Sequence, residues 1–138
     1  RGTLTGITRG TNRGHIARAA LEGIAFQTYD VLEAMRKDTQ MDYTEIRVDG
    51  GASNNNLLMQ FQSDILNAPV ARPEITETTA LGAAYLAGLA TGYWKSIDEI
   101  KKQWKINKRF EPGMEPAKAE SEVKKWKDAV KRSQGWAK

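Results

Sequence analysis

The chain has 138 residues, enough for one domain with a hydrophobic core, and its 40% hydrophobic and 28% charged residues are typical of a soluble globular protein. It contains no cysteine and one histidine, His15, which excludes disulfides, thiolate metal sites and thiol nucleophiles and argues against His-rich zinc sites and His-based triads. No apolar run approaches the roughly 20 residues of a membrane span and no signal peptide opens the chain, so we expect a cytoplasmic protein without a membrane partner.

The net charge of +4 is unevenly distributed along the chain. Residues 95–138 hold 13 basic and 7 acidic side chains, a net charge of +6, whereas residues 1–94 carry −2. A basic tail could bind nucleic acid. However, Glu120, Glu122 and Asp128 interrupt the lysines of its last part. That pattern favours a solvated helix face, and we expect no nucleic-acid partner.

The first part of the chain predicts a long helix. Residues 3–8 mix apolar and hydroxyl residues and predict a short strand or an extended lead-in. Polar residues at 11–14 can cap a helix, which we place from His15 to about Lys37, ending near Asp38. Apolar residues recur in it at mostly helical spacing: Ile16, Ala20, Ile24, Val31 and Met35. Its small residues allow another element to approach closely: Ala19, Ala20, Gly23 and Ala25.

The middle of the chain predicts a strand, a glycine turn, a helix and an extended segment. The β-rich run over 44–48 predicts a strand that ends in a turn at 50–51. Ser53 or Asn54 is then placed to cap a second helix. The wide apolar face of this helix comprises Leu57, Leu58, Phe61, Ile65 and Leu66. Residues 69–73 should be extended, because each of their two prolines fixes its own φ and disfavours helix in the residue before it.

Two further helices are predicted next. From residue 78 or 79 to about 89 the chain is rich in alanine and predicts a helix. Its small residues suggest tight packing against a neighbour: Gly82, Ala83 and Gly88. Ser96 and Glu99 match a capping box, which opens a short helix that we expect to end near Trp104.

The last predicted elements are a turn over 110–114 and an amphipathic helix from Pro116 to about Ser133. The inward-facing residues of this helix should be Val123, Trp126, Ala129 and Val130. Strand–helix–strand order predicts parallel strands joined by a right-handed crossover, so the fold class is α/β. Two or three strands are few for so many helices. Since the chain opens at Arg1 without a methionine, we expect further chain before it.

The most informative local feature is the run over 46–55, in which the predicted strand over 44–48 ends, the double glycine at 50–51 follows and a helix begins soon afterwards. Glycine permits positive φ and lets a planar or anionic group approach the backbone. A helix start adds unpaired N–H groups and a partial positive charge. These features suit the sugar, base or phosphate of a nucleotide. A tight turn without a ligand would have the same pattern, so both interpretations stay open on this feature alone.

The run over residues 46–55 resembles the adenosine-contacting motif of the actin-like ATPase superfamily. In that motif, apolar strand residues precede Gly-Gly and a small residue follows shortly after. The matching positions are Ile46, Val48, Gly50, Gly51 and Ser53. The superfamily includes sugar kinases, Hsp70-type chaperones and actin.

Longer resemblances narrow the family. Residues 2–7 and 15–22, with seven residues between them, resemble a signature of the FGGY carbohydrate kinases. Residues 55–66 and 77–90, followed by Gly-Tyr-Trp at 92–94, closely resemble the glycerol kinases of that family. The resemblance covers essentially the whole chain and is weakest towards its end.

The resemblance implies part of an actin-like ATPase (ribonuclease H-like) domain, with a nucleotide-binding α/β core over 1–94 and a helical tail over 95–138. It implies that the parent enzyme transfers the γ-phosphoryl group of MgATP to glycerol, which makes sn-glycerol 3-phosphate. The nucleotide would lie in the cleft between two domains. Such transfer depends on positioning, metal and charge stabilisation.

Matched position by position, Gly51 and Asn55 fall on the family's nucleotide contacts. The resemblance implies that Gly51 lets the backbone approach the nucleotide and that Asn55 hydrogen-bonds it from the first turn of the helix. Gly50 and Ala52 are cofactor-site candidates as their neighbours. The family's aspartate base, glycerol contacts and γ-phosphate loops belong to segments before Arg1. No catalytic residue is therefore assigned here, and the chain alone should be inactive.

The implied partners are the amino-terminal kinase domain, ATP and glycerol, with Mg²⁺ bound together with ATP and no metal ligand assigned to this chain. The parent is expected to be a homo-oligomer. The alternative from another class is a non-catalytic module that binds adenine nucleotide or a partner chain. The reading frame upstream of Arg1 distinguishes the two.

The remaining conspicuous side chains have structural interpretations. Asp49 could bind magnesium beside the glycines, but we expect it to cap the turn or neighbouring backbone. Asp64 and residues 77–79 should be structural, and His15 should pack or hydrogen-bond at its helix start. The four tryptophans are spread too widely for a base-stacking platform, so packing is expected of each: Trp94, Trp104, Trp126 and Trp136.

Overall fold

The computed structural model describes residues 2–135. Its helices and strands are α1 (Arg13–Thr39), β1 (Ile46–Arg47), a 3₁₀ helix (Gly51–Asn54), α2 (Asn56–Leu66), β2 (Val70–Pro73), α3 (Thr78–Ala90), α4 (Ile97–Lys101), β3 (Ile106–Phe110) and α5 (Pro116–Arg132). Residues 2–8 form no regular secondary structure, so the strand considered for that segment is not formed.

Helix α1 begins at Arg13, slightly before the predicted start, because Asn12 caps it. Oδ1 of Asn12 accepts hydrogen bonds from the N–H groups of Gly14 at 2.9 Å and His15 at 3.2 Å. In return, Nδ1 of His15 accepts a hydrogen bond from the Asn12 N–H at 3.2 Å. This reciprocal capping satisfies donors that have no partner within the helix. His15 therefore has the hydrogen-bonding role expected of it, and the helix ends at Thr39 as predicted.

The apolar residues that recur along α1 at helical spacing do not face the core. Exposed members of this set are Ile16, Ile24, Val31 and Met35. Ala25 and Phe26 are the buried residues of α1, and Leu21 and Tyr29 pack beside the core. The spacing identifies a real apolar stripe, but the other described elements leave these side chains of the stripe exposed.

The sheet has three strands in the order β1-β2-β3. Strands β1 and β2 are parallel, with Ile46 opposite Val70, and α2 lies between them in the chain. This arrangement confirms the predicted strand–helix–strand unit and the α/β class. Strand β1 is much shorter than the predicted 44–48. Strand β3 runs antiparallel to β2, with Phe110 opposite Val70.

Strand β3 was not predicted, because residues 95–138 were expected to be a helical tail. Its sequence Ile-Asn-Lys-Arg-Phe lacks an apolar alternation, and only Phe110 is buried. Its identity as a strand comes from backbone pairing with β2. Since Phe110 and Val123 both belong to the main core, the tail shares one sheet and one core with residues 1–94.

The core forms around α2. The rings of Phe26 and Phe61 meet edge to face with centroids 5.4 Å apart, and Trp126 of α5 stacks on Phe26 at 5.2 Å. Nε1 of Trp126 also donates a hydrogen bond to Asp30 at 2.7 Å. The other buried residues of this cluster are Ala25, Leu58, Met59, Ile65, Val70, Phe110 and Val123. Burial of such side chains is the main stabilising contribution to the fold.

Two residues predicted to face inward are exposed instead. Leu57 shares a face of α2 with Phe61 but lies one turn nearer the helix start, where the described residues do not cover that face. Val130 lies near the end of α5, beyond the buried Val123. The apolar faces were therefore correctly located, but their buried parts are shorter than the sequence indicated.

Helix α3 follows the predicted bounds closely, yet Gly88 is its only buried residue. Leu86 is 71% exposed, although the helix is apolar on all sides. Gly82 lies in open space, since a Cβ there would meet nothing within 4 Å. The tight packing expected along this helix is therefore confirmed at Gly88 and not formed at Gly82 within residues 2–135.

The capping box that opens α4 is only half formed. The Ser96 hydroxyl accepts a hydrogen bond from the Glu99 N–H at 3.2 Å, as predicted. The Glu99 carboxylate accepts from the Lys95 N–H at 2.8 Å instead of from Ser96. The helix ends at Lys101 rather than near Trp104.

The tryptophans pack at separate places, as expected. Trp94 meets the ring of Tyr85 with centroids 5.0 Å apart, and Trp104 lies 4.2 Å from the Arg47 guanidinium carbon. Trp126 belongs to the core, and Trp136 lies outside the described residues. These rings therefore form no common stacking surface in the described part of the chain.

Candidate functional site

Gly50 is the residue that makes the turn after β1. Its backbone has φ 75° and ψ 172°, a region that is essentially restricted to glycine. Its N–H donates to the Thr76 carbonyl at 2.8 Å, which ties the turn to the segment after β2. Its carbonyl accepts from the Ser53 N–H at 3.1 Å and the Ser53 hydroxyl at 2.7 Å. The conformational freedom of glycine is therefore required at this position.

Gly51 differs from Gly50 in its backbone conformation, although the sequence alone does not distinguish these two adjacent glycines. It starts the 3₁₀ helix and does not have a positive φ. A Cβ built there would meet nothing within 4 Å, and both Gly51 and Ala52 are exposed. The turn does not require glycine at position 51, so the missing side chain there leaves open space in front of the backbone.

Asn55 is the N-cap of α2, and neither Ser53 nor Asn54 has that role. Its Oδ1 accepts from the N–H groups of Leu57 at 3.0 Å and Leu58 at 3.1 Å. Asn55 therefore precedes the first turn of the helix instead of lying in it, which corrects the position expected from the sequence. Its Nδ2 group donates to no other residue in the range 2–135, and the residue is exposed. The amide can thus donate to a ligand while its oxygen caps the helix.

Arg72 is a residue of this region that the sequence analysis did not single out. It lies in β2, is only 9% exposed, and donates to the Ser53 carbonyl at 2.8 Å and to Oδ1 of Asn56 at 3.0 Å. These two acceptors lie on either side of Asn54 and Asn55. A signal was present in the sequence, since a charged residue follows directly on the apolar residues of a predicted extended segment.

The carboxylates near the turn are engaged in structural contacts. The Thr78 hydroxyl donates to Asp49, which joins the end of β1 to the start of α3. Asp64 accepts from the Gln60 amide at 3.0 Å and from the N–H groups of Gly113 at 2.8 Å and Met114 at 3.3 Å. Asp64 therefore has the structural role that was expected, whereas Asp49 bonds a side chain of α3 and not the turn or neighbouring backbone that it was expected to cap. Within residues 2–135, no group of three or more His, Cys, Asp or Glu residues is placed to hold a metal ion.

A cavity of about 600 Å³ lies beside this region, between α3, the end of β2 and residues 100–105. Its walls include the Arg47 side chain and the face of Trp104. None of Gly50, Gly51, Ala52 and Asn55 lines it. Gly51, Ala52 and Asn55 are exposed and Gly50 is half-buried, so this chain presents an open surface rather than an enclosed pocket at the turn.

No helix in the described part of the chain is both long enough and apolar enough to cross a membrane.

Comparison with known sequences shows that the chain is similar to carbohydrate kinases over almost its whole length. The sequence profile of the FGGY family of carbohydrate kinases, C-terminal domain, matches residues 1–91. A glycerol kinase from Janthinobacterium sp. (strain Marseille) is 62% identical over 136 residues, which is 99% of this chain and 27% of that protein. A glycerol kinase from Deinococcus radiodurans is 60% identical over 136 residues, again 99% and 27%. The chain thus spans about 27% of the length of these relatives.

Comparison with solved structures gives the same grouping. The structure of Plasmodium falciparum glycerol kinase with ADP matches with a TM-score of 0.84 and 36% identity, and the match covers 96% of this chain and 27% of that one. A ligand-bound xylulose kinase from Lactobacillus acidophilus matches with a TM-score of 0.79 and 25% identity, covering 99% and 28%. Both matches include the strand and helices of the tail, because each covers nearly the whole chain.

Proposed function

Since the chain belongs to the FGGY family of carbohydrate kinases and matches its carboxyl-terminal domain, we propose that it supplies part of the ATP site of a glycerol kinase. The parent enzyme would transfer the γ-phosphoryl group of ATP to glycerol and release ADP and sn-glycerol 3-phosphate. The observation that carries this proposal is the identity of 62% to a glycerol kinase over 99% of the chain.

The proposed nucleotide contacts are Gly51 and Asn55, with Gly50 and Ala52 as their neighbours. The open space in front of Gly51 supports close approach of a ligand to the backbone. The Asn55 amide supports a hydrogen bond to that ligand, since only its oxygen is used for capping. In this arrangement the chain binds and orients the nucleotide, while Gly50 maintains the turn.

The described residues do not suit a site for Mg²⁺. Asp49 is hydrogen-bonded to Thr78, and residues 2–135 provide no cluster of three metal-ligating side chains. The metal that accompanies ATP would therefore be held by the phosphates and by residues elsewhere in the parent. The catalytic base and the glycerol contacts are likewise proposed to lie in other segments of the parent, so the chain alone should lack kinase activity.

The main partner of this chain would be the remainder of the same kinase. The exposed apolar residues of α1 and α3 would then be covered by parts of the enzyme that are absent from this chain: Ile16, Ile24, Val31, Met35 and Leu86. The parent would be a homo-oligomer that works in the cytoplasm, with no nucleic acid or membrane as a partner.

The decisive experiment uses the full-length protein that carries this chain. We expect glycerol-dependent formation of ADP and glycerol 3-phosphate from ATP, measured with a coupled assay and mass spectrometry, and no such activity from the 138-residue chain. ATP binding without phosphorylation of glycerol by the full-length protein would instead support a non-catalytic nucleotide-binding module.

A further inference from the structure

Arg72 is a buried cation without a counter-ion in the described part of the chain. It lies in the central strand β2 and is 9% exposed. No carboxylate within residues 2–135 forms an ion pair with its guanidinium. A buried charge is costly unless hydrogen bonds replace its hydration. The acceptors of this guanidinium therefore explain how the strand tolerates it.

The guanidinium divides its hydrogen bonds between two parts of the fold. On one side, Nε and Nη2 donate to Oδ1 of Asn107 in β3, at 3.1 and 3.0 Å. On the other side, Nη1 donates to the Ser53 carbonyl at 2.8 Å and to Oδ1 of Asn56 at 3.0 Å. The ring of Phe110 lies 5.5 Å from the guanidinium carbon and covers it. Arg72 thus joins the edge strand β3 to the loop before α2.

The loop has few other connections to the sheet. The bonds from the Ser53 N–H to the Gly50 carbonyl and from the Asn55 N–H to the Ala52 carbonyl are internal to the loop. Within the described residues, two hydrogen-bonding groups connect residues 50–56 to parts of the fold beyond the loop and α2. The Gly50 N–H donates to the Thr76 carbonyl at 2.8 Å, and Arg72 donates to Ser53 and Asn56. The Gly50 bond fixes the start of the loop, whereas Arg72 fixes its end, residues 53–56, relative to the sheet.

We infer that Arg72 is a positioning residue for the nucleotide loop. Its guanidinium holds residues 53–56 against β2 and β3, so that the Gly51 backbone and the Asn55 amide face a nucleotide together. Arg72 acts through Ser53 and Asn56 and does not itself contact the ligand. This inference rests on the nucleotide site under Proposed function. It requires the planar fork of arginine, because a single ammonium group is a point charge that cannot reproduce the forked set of bonds.

The test compares four variants of the full-length protein. Arg72→Met removes the charge and all donors, and Arg72→Lys keeps the charge without the fork. Asn56→Ala removes one acceptor on the loop side. Arg109→Met is the matched control, because Arg109 lies on β3, is exposed, and pairs with Glu111 at 2.6 Å and with Glu45 instead of with the loop. Circular dichroism and thermal unfolding establish that each variant is folded.

The readouts are the KM values for ATP and glycerol, kcat, and the Kd for ATP from calorimetry. Arg72→Met should raise the KM and Kd for ATP on the order of tenfold or more, at least about 1.4 kcal/mol, because the loop that positions the Gly51 backbone and the Asn55 amide loses its anchor. The KM for glycerol should stay within about twofold, since the glycerol contacts are proposed to lie in other segments of the parent. Arg72→Lys should fall between Arg72→Met and the wild type, Asn56→Ala should cause a rise of about threefold, and Arg109→Met should match the wild type.

A merely structural role would give a different result. The inference would be overturned if folded Arg72→Met had a lowered kcat but unchanged KM and Kd for ATP. In that case only the fraction of active enzyme molecules would have changed. If Arg72→Met does not fold, the test rests on Arg72→Lys and Asn56→Ala. Wild-type KM and Kd values for ATP in both of these variants would overturn the inference. A wild-type full-length protein that does not bind ATP would overturn the proposed function first, before any variant is compared.

Discussion

The indole of Trp94 lies across Gly88 so closely that a Cβ at Gly88 would be 2.1 Å from Cε3 and 2.2 Å from Cζ3 of that ring. The Gly88 carbonyl also accepts from the N–H groups of Tyr93 at 2.8 Å and Trp94 at 3.3 Å. The chain therefore folds back over the end of α3. The small size of Gly88 allows the turn just after the helix to pack against it.

Adding a methyl group at Gly88 should destabilise the chain. Gly88→Ala forces the Trp94 ring to move from its contact with Tyr85, at a cost of about 1–3 kcal/mol. Gly82→Ala is the control in the same helix, because its Cβ would meet nothing within 4 Å. That change should be neutral or stabilise by about 0.5–1 kcal/mol. Urea unfolding of both variants measures the difference, and equal free energies of unfolding would contradict this packing account.

The two glycines of the turn should respond differently to alanine. Gly50→Ala places a side chain at φ 75°, ψ 172°, which costs about 1–3 kcal/mol. Gly51→Ala should change the free energy of unfolding by less than about 0.5 kcal/mol, because its backbone is not left-handed and its surroundings are open. Thermal unfolding of the two variants is the measurement. A larger loss at Gly51 than at Gly50 would show that the roles are reversed.

Gly51→Val in the full-length protein should weaken ATP binding far more than glycerol binding. The valine side chain would occupy the open space in which the nucleotide is proposed to lie, so we expect the Kd for ATP to rise on the order of tenfold or more, at least about 1.4 kcal/mol. Calorimetry with ATP and with glycerol measures both affinities. Ala117→Val, on the exposed side of α5, is the control and should leave both unchanged. Wild-type ATP affinity in folded Gly51→Val would make the turn purely structural.

Asn55 has two roles that separate variants can resolve. Asn55→Ala removes both the helix cap, worth about 0.5–2 kcal/mol of stability, and one ligand hydrogen bond, which should raise the Kd for ATP about twofold to tenfold. Asn55→Asp keeps an oxygen acceptor for the N–H groups of Leu57 and Leu58 but has no amide donor. It should therefore retain stability and still weaken ATP binding. If Asn55→Asp binds ATP normally, the role of Asn55 is limited to capping.

The isolated 138-residue chain should associate with itself in solution. Leu86 is 71% and Val31 is 60% exposed, and apolar faces of this kind favour contact with another surface. Sedimentation velocity over a range of concentrations measures the association. Leu86→Lys and Val31→Lys should reduce it, whereas Thr5→Lys, in the irregular lead-in, should not. A chain that stays monomeric at all concentrations would argue against these faces as contact surfaces.

Local signals in the sequence located most of the secondary structure. Polar caps and prolines act within a few residues of themselves, so the end of α1, the extended segment at β2 and the start of α5 were predicted closely. The glycine turn was also predicted from neighbouring residues, because a strand, two glycines and a helix start follow one another in the sequence. It could not divide the roles of Gly50 and Gly51, which depend on the backbone angles and on the space around each residue.

Contacts between distant segments were decided only by the tertiary structure. Strand β3 is a strand because β2 pairs with it, and its charged sequence carries no local sign of this. Likewise, the spacing of apolar residues along α1 shows that the helix has an apolar stripe, but the elements packed against Ala25 and Phe26 decide which face is buried. Arg72 became a site residue only when folding brought it to Ser53 and Asn56. Hydrogen bonds and side-chain packing act over a few ångströms in space and are indifferent to distance along the chain, so such contacts emerge only with the fold.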